Sequence, residues 1–316
     1  MSLEVIDVGG LATIQDSGRK GWRRFGVPTS GPMDVFAFCT ANVLAGNPFN
    51  FAAAEIGLGD ITFRAMQDCL IAAAGTGYAL SIYLWEFPLW SSFFVRKGWT
   101  IRFHKTNNGM WAYLAITGGV QTQPVMGSRS TYLRGAFGGF EGRQLQTGDV
   151  LSTGIPSPPS YELAARSLPE EARLNYREHP IVDVVMGPQV QYFSNQSIAT
   201  FLASEYSVRL TSDRMGYRLE GSPLTHRGTS ELISEGITFG AVQVPPAGQP
   251  IVMMADAPTT GGYPKIATVI SADLPLLTQC TPGRSKIRFQ ETTVARAQKK
   301  YRALMSRLRS RIVESE

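Results

Sequence analysis

Short apolar runs, alternating or continuous and each closed by Gly, Pro or polar residues, dominate the chain and predict strands. Thr100 to Lys105 and Met110 to Thr117 are two such runs around Asn107-Asn108-Gly109, a turn sequence that predicts a hairpin. Val182 to Met186, Ser207 to Thr211, Ala241 to Val244 and Ile251 to Ala255 read the same way. Helical spacing is rarer. Asp34 is placed to cap a helix over Val35 to Ala45 that Gly46-Asn47-Pro48 stops, Ser194 or Asn195 starts another ending near Ala203, and a third is expected around Ser271 to Gln279. From Val294 onward, Tyr301, Leu304, Met305, Leu308 and Ile312 recur among Lys and Arg, which predicts a C-terminal amphipathic helix with a solvated basic face.

The pattern occurs twice. Arg19-Lys20-Gly21-Trp22-Arg23 returns as Arg214-Met215-Gly216-Tyr217-Arg218, and Glu55 with Ile61-Thr62-Phe63 returns as Glu231 with Ile237-Thr238-Phe239. Gly98 leading into Ile101-Arg102-Phe103 is matched by Gly283 leading into Ile287-Arg288-Phe289. Echoes in one order favour two copies of a β-rich unit, as paired barrels or sandwiches. The expected division is a first unit over 1–153, a Pro-rich connector over 154–180 with a helical turn near Glu162 to Arg166, a second unit over 181–292 and the C-terminal helix over 293–316.

Charge changes the picture only once it is located. The formal net charge is +5, but residues 284–316 alone hold ten basic and three acidic residues, which leaves the rest of the chain at −2. Basicity confined to one helix argues against a nucleic-acid or membrane partner. Hydrophobic content of 43% with 17% charged residues fits a folded globular chain. Cys39, Cys69 and Cys280 form no C-x-x-C, so reduced buried thiols in the cytoplasm are expected, and Met1 to Trp22 carries no signal-peptide pattern. His104, His179 and His226 are scattered, so no metal site is expected, and neither a Walker A loop nor a G-x-S-x-G elbow occurs.

Glycine and charge concentrate in four blocks. The first, Gln15 to Asp34, offers Asp16, Arg19 and Asp34 beside pliant backbone, or else two tight turns and a helix cap. The second holds Arg129, Ser130, Thr131 and Arg134, then Gly138-Gly139-Phe140-Glu141-Gly142-Arg143 and Gly148-Asp149. Guanidinium forks and hydroxyls suit a carboxylate or phosphate, and the competing reading pairs Arg143 with Asp149 across a turn. The third, around Arg214, repeats the first and reads equally as a fold signature. The fourth gathers Glu235, Gln243, Asp256, Thr259, Thr260, Gly261, Gly262, Tyr263 and Lys265; neither strand nor helix requires it, which marks it for a ligand.

Taken in order, these blocks resemble the biotin-dependent carboxyltransferase family of the allophanate hydrolase subunit 2 type, which includes the C component of 5-oxoprolinase and the KipA regulatory protein. The resemblance is carried by Thr13-Ile14-Gln15-Asp16-Ser17-Gly18-Arg19, Gly26 to Asp34, Ala41-Asn42 with Gly46-Asn47, Ser128 to Tyr132, and Gly138 to Asp149. In the second half it continues through Asp213 to Leu219, Ser234-Glu235-Gly236, Gln243-Val244-Pro245, Gly248-Gln249-Pro250 and Thr259 to Pro264. It implies a mainly β fold of two tandem cyclophilin-like β-barrel units with a few flanking helices. It implies a partner, the B component, of the KipI or allophanate hydrolase subunit 1 type, with an A component as the third protein of the complex.

The activity implied is opening of the lactam of 5-oxoproline to glutamate at the expense of ATP with Mg2+, bound at the level of the complex. Alternatives are the carboxyltransferase component of a urea carboxylase system, with biotin not on this chain, and a regulator binding a KipI-like kinase inhibitor. In the leading case Lys265, Arg129, Arg134 and Arg214 are candidates for holding anionic groups, and amides around Thr260 to Gly262 for an oxyanion. Asp256 or Glu235 would steer a proton, with Asp16, Arg19, Ser130, Thr131, Gln243, Thr259 and Tyr263 completing the substrate or phosphate contacts. The chain departs from the family pattern at Asp256-Ala257-Pro258, where Asp-Arg-Gln is usual. Either Arg129, Arg134 or Lys265 compensates for that arginine, or the substrate differs, or activity is lost.

Overall fold

The computed structural model describes residues 2–155, 163–228, 230–310 and 313–314. Contacts divide the chain into one unit of Met1–Lys20, Ser30–Leu174 and Met305–Glu316, and a second of Gly21–Thr29 and Asn175–Leu304. The division after Leu174 falls inside the expected connector. The helical turn expected there begins outside the described residues, and its last residue, Arg166, starts a strand.

The first unit is two antiparallel sheets around one core. Across the first sheet run β11 (Val150–Ser152), β1 (Ser2–Val8), β4 (Ile61–Ala65), β9 (Thr100–Lys105), β6 (Tyr78–Ile82) and β7 (Trp85–Phe87). Across the second run β2 (Leu11–Gln15), β3 (Ala53–Gly57), β10 (Trp111–Ile116), β5 (Cys69–Gly75), β8 (Ser91–Val95), β12 (Arg166–Ser167) and β22 (Val313–Glu314). Alternation in β1, β4 and β9 points Leu3, Val5, Ile61, Phe63, Ile101 and Phe103 inward, where they meet Ile14, Ile56, Ile71, Leu114 and Ile116 of the other sheet. Strands β5 and β10 are buried at every residue because helix α1 (Val35–Leu44) lies against them, Phe38 meeting Tyr113 edge-on at 5.8 Å. Having eight of its ten residues buried, α1 is apolar all round rather than striped. Asp34 caps it by accepting from the Ala37 amide at 2.9 Å.

The hairpin expected at Asn107-Asn108-Gly109 does not form. Strand β9 pairs with β4 and β6, whereas β10 pairs with β3 and β5, so the turn carries the chain from one sheet to the other. The reason is β10 itself: a strand apolar on both faces needs a covered central position, which the first sheet does not offer.

The second unit is a closed barrel in the order β13 (Ile181–Met186), β20 (Lys265–Val269), β17 (Ala241–Gln243), β18 (Ile251–Met253), β15 (Gly216–Glu220), β14 (Tyr206–Val208) and β21 (Lys286–Glu291). Parallel pairing of β13 with β21 closes it. Helix α2 (Asn195–Ala203) stacks Phe201 on Phe289 at 4.5 Å, and α3 (Leu274–Thr278) supplies the carbonyl of Thr278 to the buried Tyr217 hydroxyl. A two-stranded ribbon, β16 (Glu235–Gly236) with β19 (Thr260–Gly261), stands apart from the barrel wall. Of the sequence echoes, the third is structural, since Ile-Arg-Phe has the same in-out-in burial in β9 and β21. The second is not: Glu55 is buried in β3 while Glu231 is exposed in a loop.

The C-terminal helix α4 spans Val294–Ser310; over residues 294–308 it buries Leu304 and Leu308 fully and leaves Arg296, Lys299, Lys300, Arg302 and Arg307 exposed. Val313–Glu314 form a strand rather than continuing the helix. Lys300 of α4 bonds to Asp183 and to the buried Asp273, both at 2.8 Å. Among the described residues no helix is long and apolar enough to cross a membrane.

The cysteines Cys39, Cys69 and Cys280 are free and buried, and burial pushes each thiol up to about 12. The unfolded chain ionises its thiols near about 8.5, so this stabilisation is full below that value and is lost as pH rises toward the folded value. We expect almost no reaction with a thiol reagent at pH 8 in the native protein, and all three cysteines to react in denaturant; rapid reaction of the native protein would contradict the burial.

Candidate functional site

Two clusters of charged and polar side chains stand out, one in each unit, and they differ in what their charges are used for. In the first unit the carboxylate of Asp16 accepts from the amides of Gly18 (2.9 Å) and Arg129 (2.6 Å) and from the hydroxyls of Ser128 (2.6 Å) and Ser130 (2.7 Å). Arg19, fully buried, donates to the carbonyl of Ser130 and lies over the Phe137 ring at 4.8 Å. A Cβ at Gly138 would collide with that carbonyl and the guanidinium, which explains the glycine. Thr131 donates its hydroxyl to Ile14 O, and Gln15 reaches the carbonyl of Thr131. Asp16, Arg19, Ser130 and Thr131 are thus brought together as a buried clasp whose bonds run to their own neighbours.

Arg129 turns outward to Gln121 at 2.9 Å, and Arg134 is exposed. Arg143 forks onto Asp149 at 2.7 and 2.9 Å, the pairing across a turn that competed with ligand binding for this block. Burial of Asp149 opposes ionisation, but the Arg143 bond, the Gln146 amide and the Arg143 charge together outweigh it and its pKa falls. Asn42 and Asn47 are similarly internal: Asn47 donates to Asn42 and to Ile116 O while accepting from Gly118 N.

In the second unit β20 starts at Lys265, whose side chain is 9% exposed and whose ammonium meets Glu235 Oε2 at 2.9 Å. Gln189 completes the arrangement, donating to the same Glu235 oxygen at 2.7 Å and accepting from the Lys265 amide. The Lys265 bond, then its charge, holds the Glu235 carboxyl below the usual range, so it is ionised at neutral pH. The ribbon sets this geometry: Glu235 lies opposite Gly261 and Gly236 opposite Thr260, while Gly262 accepts from the Leu232 amide at 2.7 Å. At Gly261 a Cβ would come within 2.9 Å of the Gln243 amide, which itself donates to Tyr263 O at 3.1 Å. Beside Glu235 an open groove of about 480 Å³ is lined by Gln189, Gln191, Tyr192, Glu231 and Leu232 among others. Lys265, Glu235, Gln243, Thr260, Gly261, Gly262 and Tyr263 therefore converge, together with Gln189, which the sequence offered no motif to identify.

Arg214 and Asp256 are brought to each other instead. Both side chains are 6% exposed, and the guanidinium meets the two carboxylate oxygens at 2.8 and 3.1 Å. Both Asp256 oxygens are committed to this fork. Ala257 is buried beside Ile237, Ala241 and Met253, so the position where the family pattern has arginine faces apolar side chains here. Thr259 offers its carbonyl to the amide of Ile237 and to Arg23.

The family pattern described as "Carboxyltransferase domain, subdomain A and B" matches residues 25–291. The chain belongs to this carboxyltransferase family. It is 38% identical over 297 residues to the C component of 5-oxoprolinase from Haemophilus influenzae, covering 94% of this chain and 93% of that one. It is likewise 38% identical over 303 residues to the C component of 5-oxoprolinase from Escherichia coli, with the same coverage. Urea amidolyase of Lachancea kluyveri is 32% identical over 308 residues, but this chain matches only 16% of its length. The solved urea amidolyase of K. lactis superposes on all of this chain with a TM-score of 0.89 at 27% identity, through 21% of its own length. The mainly β architecture expected from the sequence agrees with this likeness.

Breaking one half of a buried ion pair strands the other charge, so Asp256→Ala should lower unfolding free energy by about 3 to 5 kcal/mol. The double variant Arg214→Met/Asp256→Leu should recover most of that loss, measured by urea unfolding; equal losses in both would mean the pair is not a closed structural unit.

Proposed function

We propose that this chain is the C component of an ATP-dependent 5-oxoprolinase, opening the lactam of 5-oxoproline to glutamate together with the A and B components in the cytoplasm. The observation that carries the proposal is the end-to-end match to the 5-oxoprolinase C components, where the urea amidolyases correspond only to a fraction of their length. Those relatives are named as subunits, which also supports a working form larger than one chain.

The chemistry asks for a cation, oxyanion donors and a proton acceptor, because a lactam carbonyl is a weak electrophile and water a weak nucleophile. Lys265, bonded to Glu235 of the groove, supplies the cation, with its stem held in the barrel wall. Glu235, ionised and exposed on its ribbon, is suited to accept the proton of attacking water; with both oxygens of Asp256 bound to Arg214, this role falls to Glu235. Ribbon amides between Thr260 and Gly262 are the candidates for the developing oxyanion.

The donor set does not fit a whole nucleotide. Two glutamates, Glu231 and Glu235, stand on the groove with Lys265 beside them. The caps of α1 and α2 are occupied by their own Asp34 and Ser194 side chains. ATP and Mg2+ are therefore assigned to the complex. A carboxyltransferase taking its carboxyl group from biotin on another protein is the second reading, favoured by the likeness to urea amidolyase.

Purified chain assembled with the A and B components should release glutamate from 5-oxoproline only when ATP and this chain are both present. Lys265→Ala should lower kcat by about 100-fold or more without dissociating the complex, the scale of losing one charge-stabilising donor. Turnover within about threefold of the parent would remove Lys265 from the chemistry, and no glutamate from a complete complex would overturn the proposal itself.

A further inference from the structure

We propose that Arg23 provides an anion-binding guanidinium at the edge of the β16–β19 ribbon, where it takes a carboxylate or phosphoryl oxygen of the ligand. The inference rests on placing the site at this ribbon. Residues Gly21–Thr29 belong by contact to the second unit despite lying early in the chain. Nη2 of Arg23 donates to the carbonyl of Ile237, just beyond β16, and to that of Thr259, just before β19, the latter at 3.3 Å. These carbonyls mark one end of the ribbon, since the Ile237 amide also donates to Thr259 O at 3.0 Å. One nitrogen of the fork thus fixes where the guanidinium sits. Nη1 and Nε of Arg23 have no partner among the described residues.

Arg23 has no acidic partner among the described residues, unlike the cations paired within the two units. Arg214 has Asp256, Arg143 has Asp149, Lys265 has Glu235 and Lys300 has Asp183 and Asp273. Arg173, the other arginine whose pKa burial depresses, has Glu170 and Glu171 working against that. For Arg23 desolvation acts with no acidic group opposing it. Held by two neutral carbonyls through one nitrogen, the partly exposed guanidinium keeps its other two nitrogens for an anion arriving from solvent.

Position agrees with this role. Ile237 lies two residues beyond Glu235, roughly 7 Å along an extended strand, so Arg23 and Lys265 serve the same ribbon. Lys265 is already neutralised by Glu235, whereas Arg23 is not, which makes Arg23 the cation with capacity to spare. Ala257 supplies no guanidinium here, being buried among apolar side chains, and Arg214 is committed to Asp256, whereas Arg23 brings a guanidinium to the carbonyl of Thr259.

The test compares the parent, Arg23→Gln, Arg23→Lys and the exposed neighbour Arg24→Gln, each as free chain and in complex with the A and B components. The free chains are titrated calorimetrically with 5-oxoproline and, separately, with inorganic phosphate at low salt. Arg23→Gln should weaken binding of one anion by about 10-fold or more, Arg23→Lys should keep part of it, and Arg24→Gln should match the parent. In the complex, a rise in KM for 5-oxoproline with kcat within about threefold identifies a substrate carboxylate, while a rise in KM for ATP with phosphate binding lost identifies a phosphoryl group. Unchanged binding of both anions in Arg23→Gln, or binding of neither by the parent, overturns the proposal. Equal losses in Arg23→Gln and Arg23→Lys with a lowered melting temperature also overturn it, since they mean bracing and not binding. A complex that makes no glutamate while the chain binds an anion through Arg23 removes the oxoprolinase reading and leaves this one standing.

Discussion

A lysine whose stem is buried in a barrel wall must bring its ammonium to a place where it is paired, and the arrangement around Lys265 follows from that requirement. The ammonium emerges at the start of β20, where Glu235 receives it at 2.9 Å and Gln189 holds both partners in register. Glu235 is 52% exposed, so the pair contributes little to stability. Its effect is positional. It ties Glu235, and through it the β16–β19 ribbon, to the start of β20. Glycine at 261 permits the close approach to Gln243 on which that geometry depends.

The opposite use of charge governs the first unit. Asp16 collects four hydrogen bonds and Arg19 is fully buried, so the glycine-rich stretches around them serve to satisfy charges already taken out of water. Arg214 with Asp256 does the same in the second unit. Burial of this kind specifies one arrangement of loops, because removing either partner strands the other. A sequence block rich in Gly, Arg, Asp and Ser can therefore signal a ligand site or a buried polar clasp, and composition alone does not separate the two.

This ambiguity sets what was legible in the sequence. Strand and helix positions were readable because they follow local apolar spacing: α1, α2, β9 and β13 lie within a residue or two of their expected bounds. Sheet membership was not, since Asn107-Asn108-Gly109 has turn chemistry whichever sheet the next strand enters, and only burial of both faces of β10 decides it. Lys265, Glu235 and the Thr259 to Tyr263 run were readable as a block that no secondary structure requires. Gln189 stands in no motif, and Arg23, although it closes the Arg-x-Gly-aromatic-Arg echo, reaches the ribbon from a distant part of the chain, so neither role was readable. The roles of Asp16 and Arg214 turn on side-chain partners more than forty residues away in sequence, a separation over which spacing carries no information.

We place ligand binding at the ribbon and the start of β20 in the second unit. Backbone hydrogen exchange of the assembled complex, with and without 5-oxoproline and a non-hydrolysable ATP analogue, tests it most directly. Binding at the ribbon predicts slowed exchange over residues 232–237 and 259–265, with residues 128–143 unchanged. Protection confined to residues 128–143, with the ribbon exchanging as before, would contradict it and move the site to the first unit.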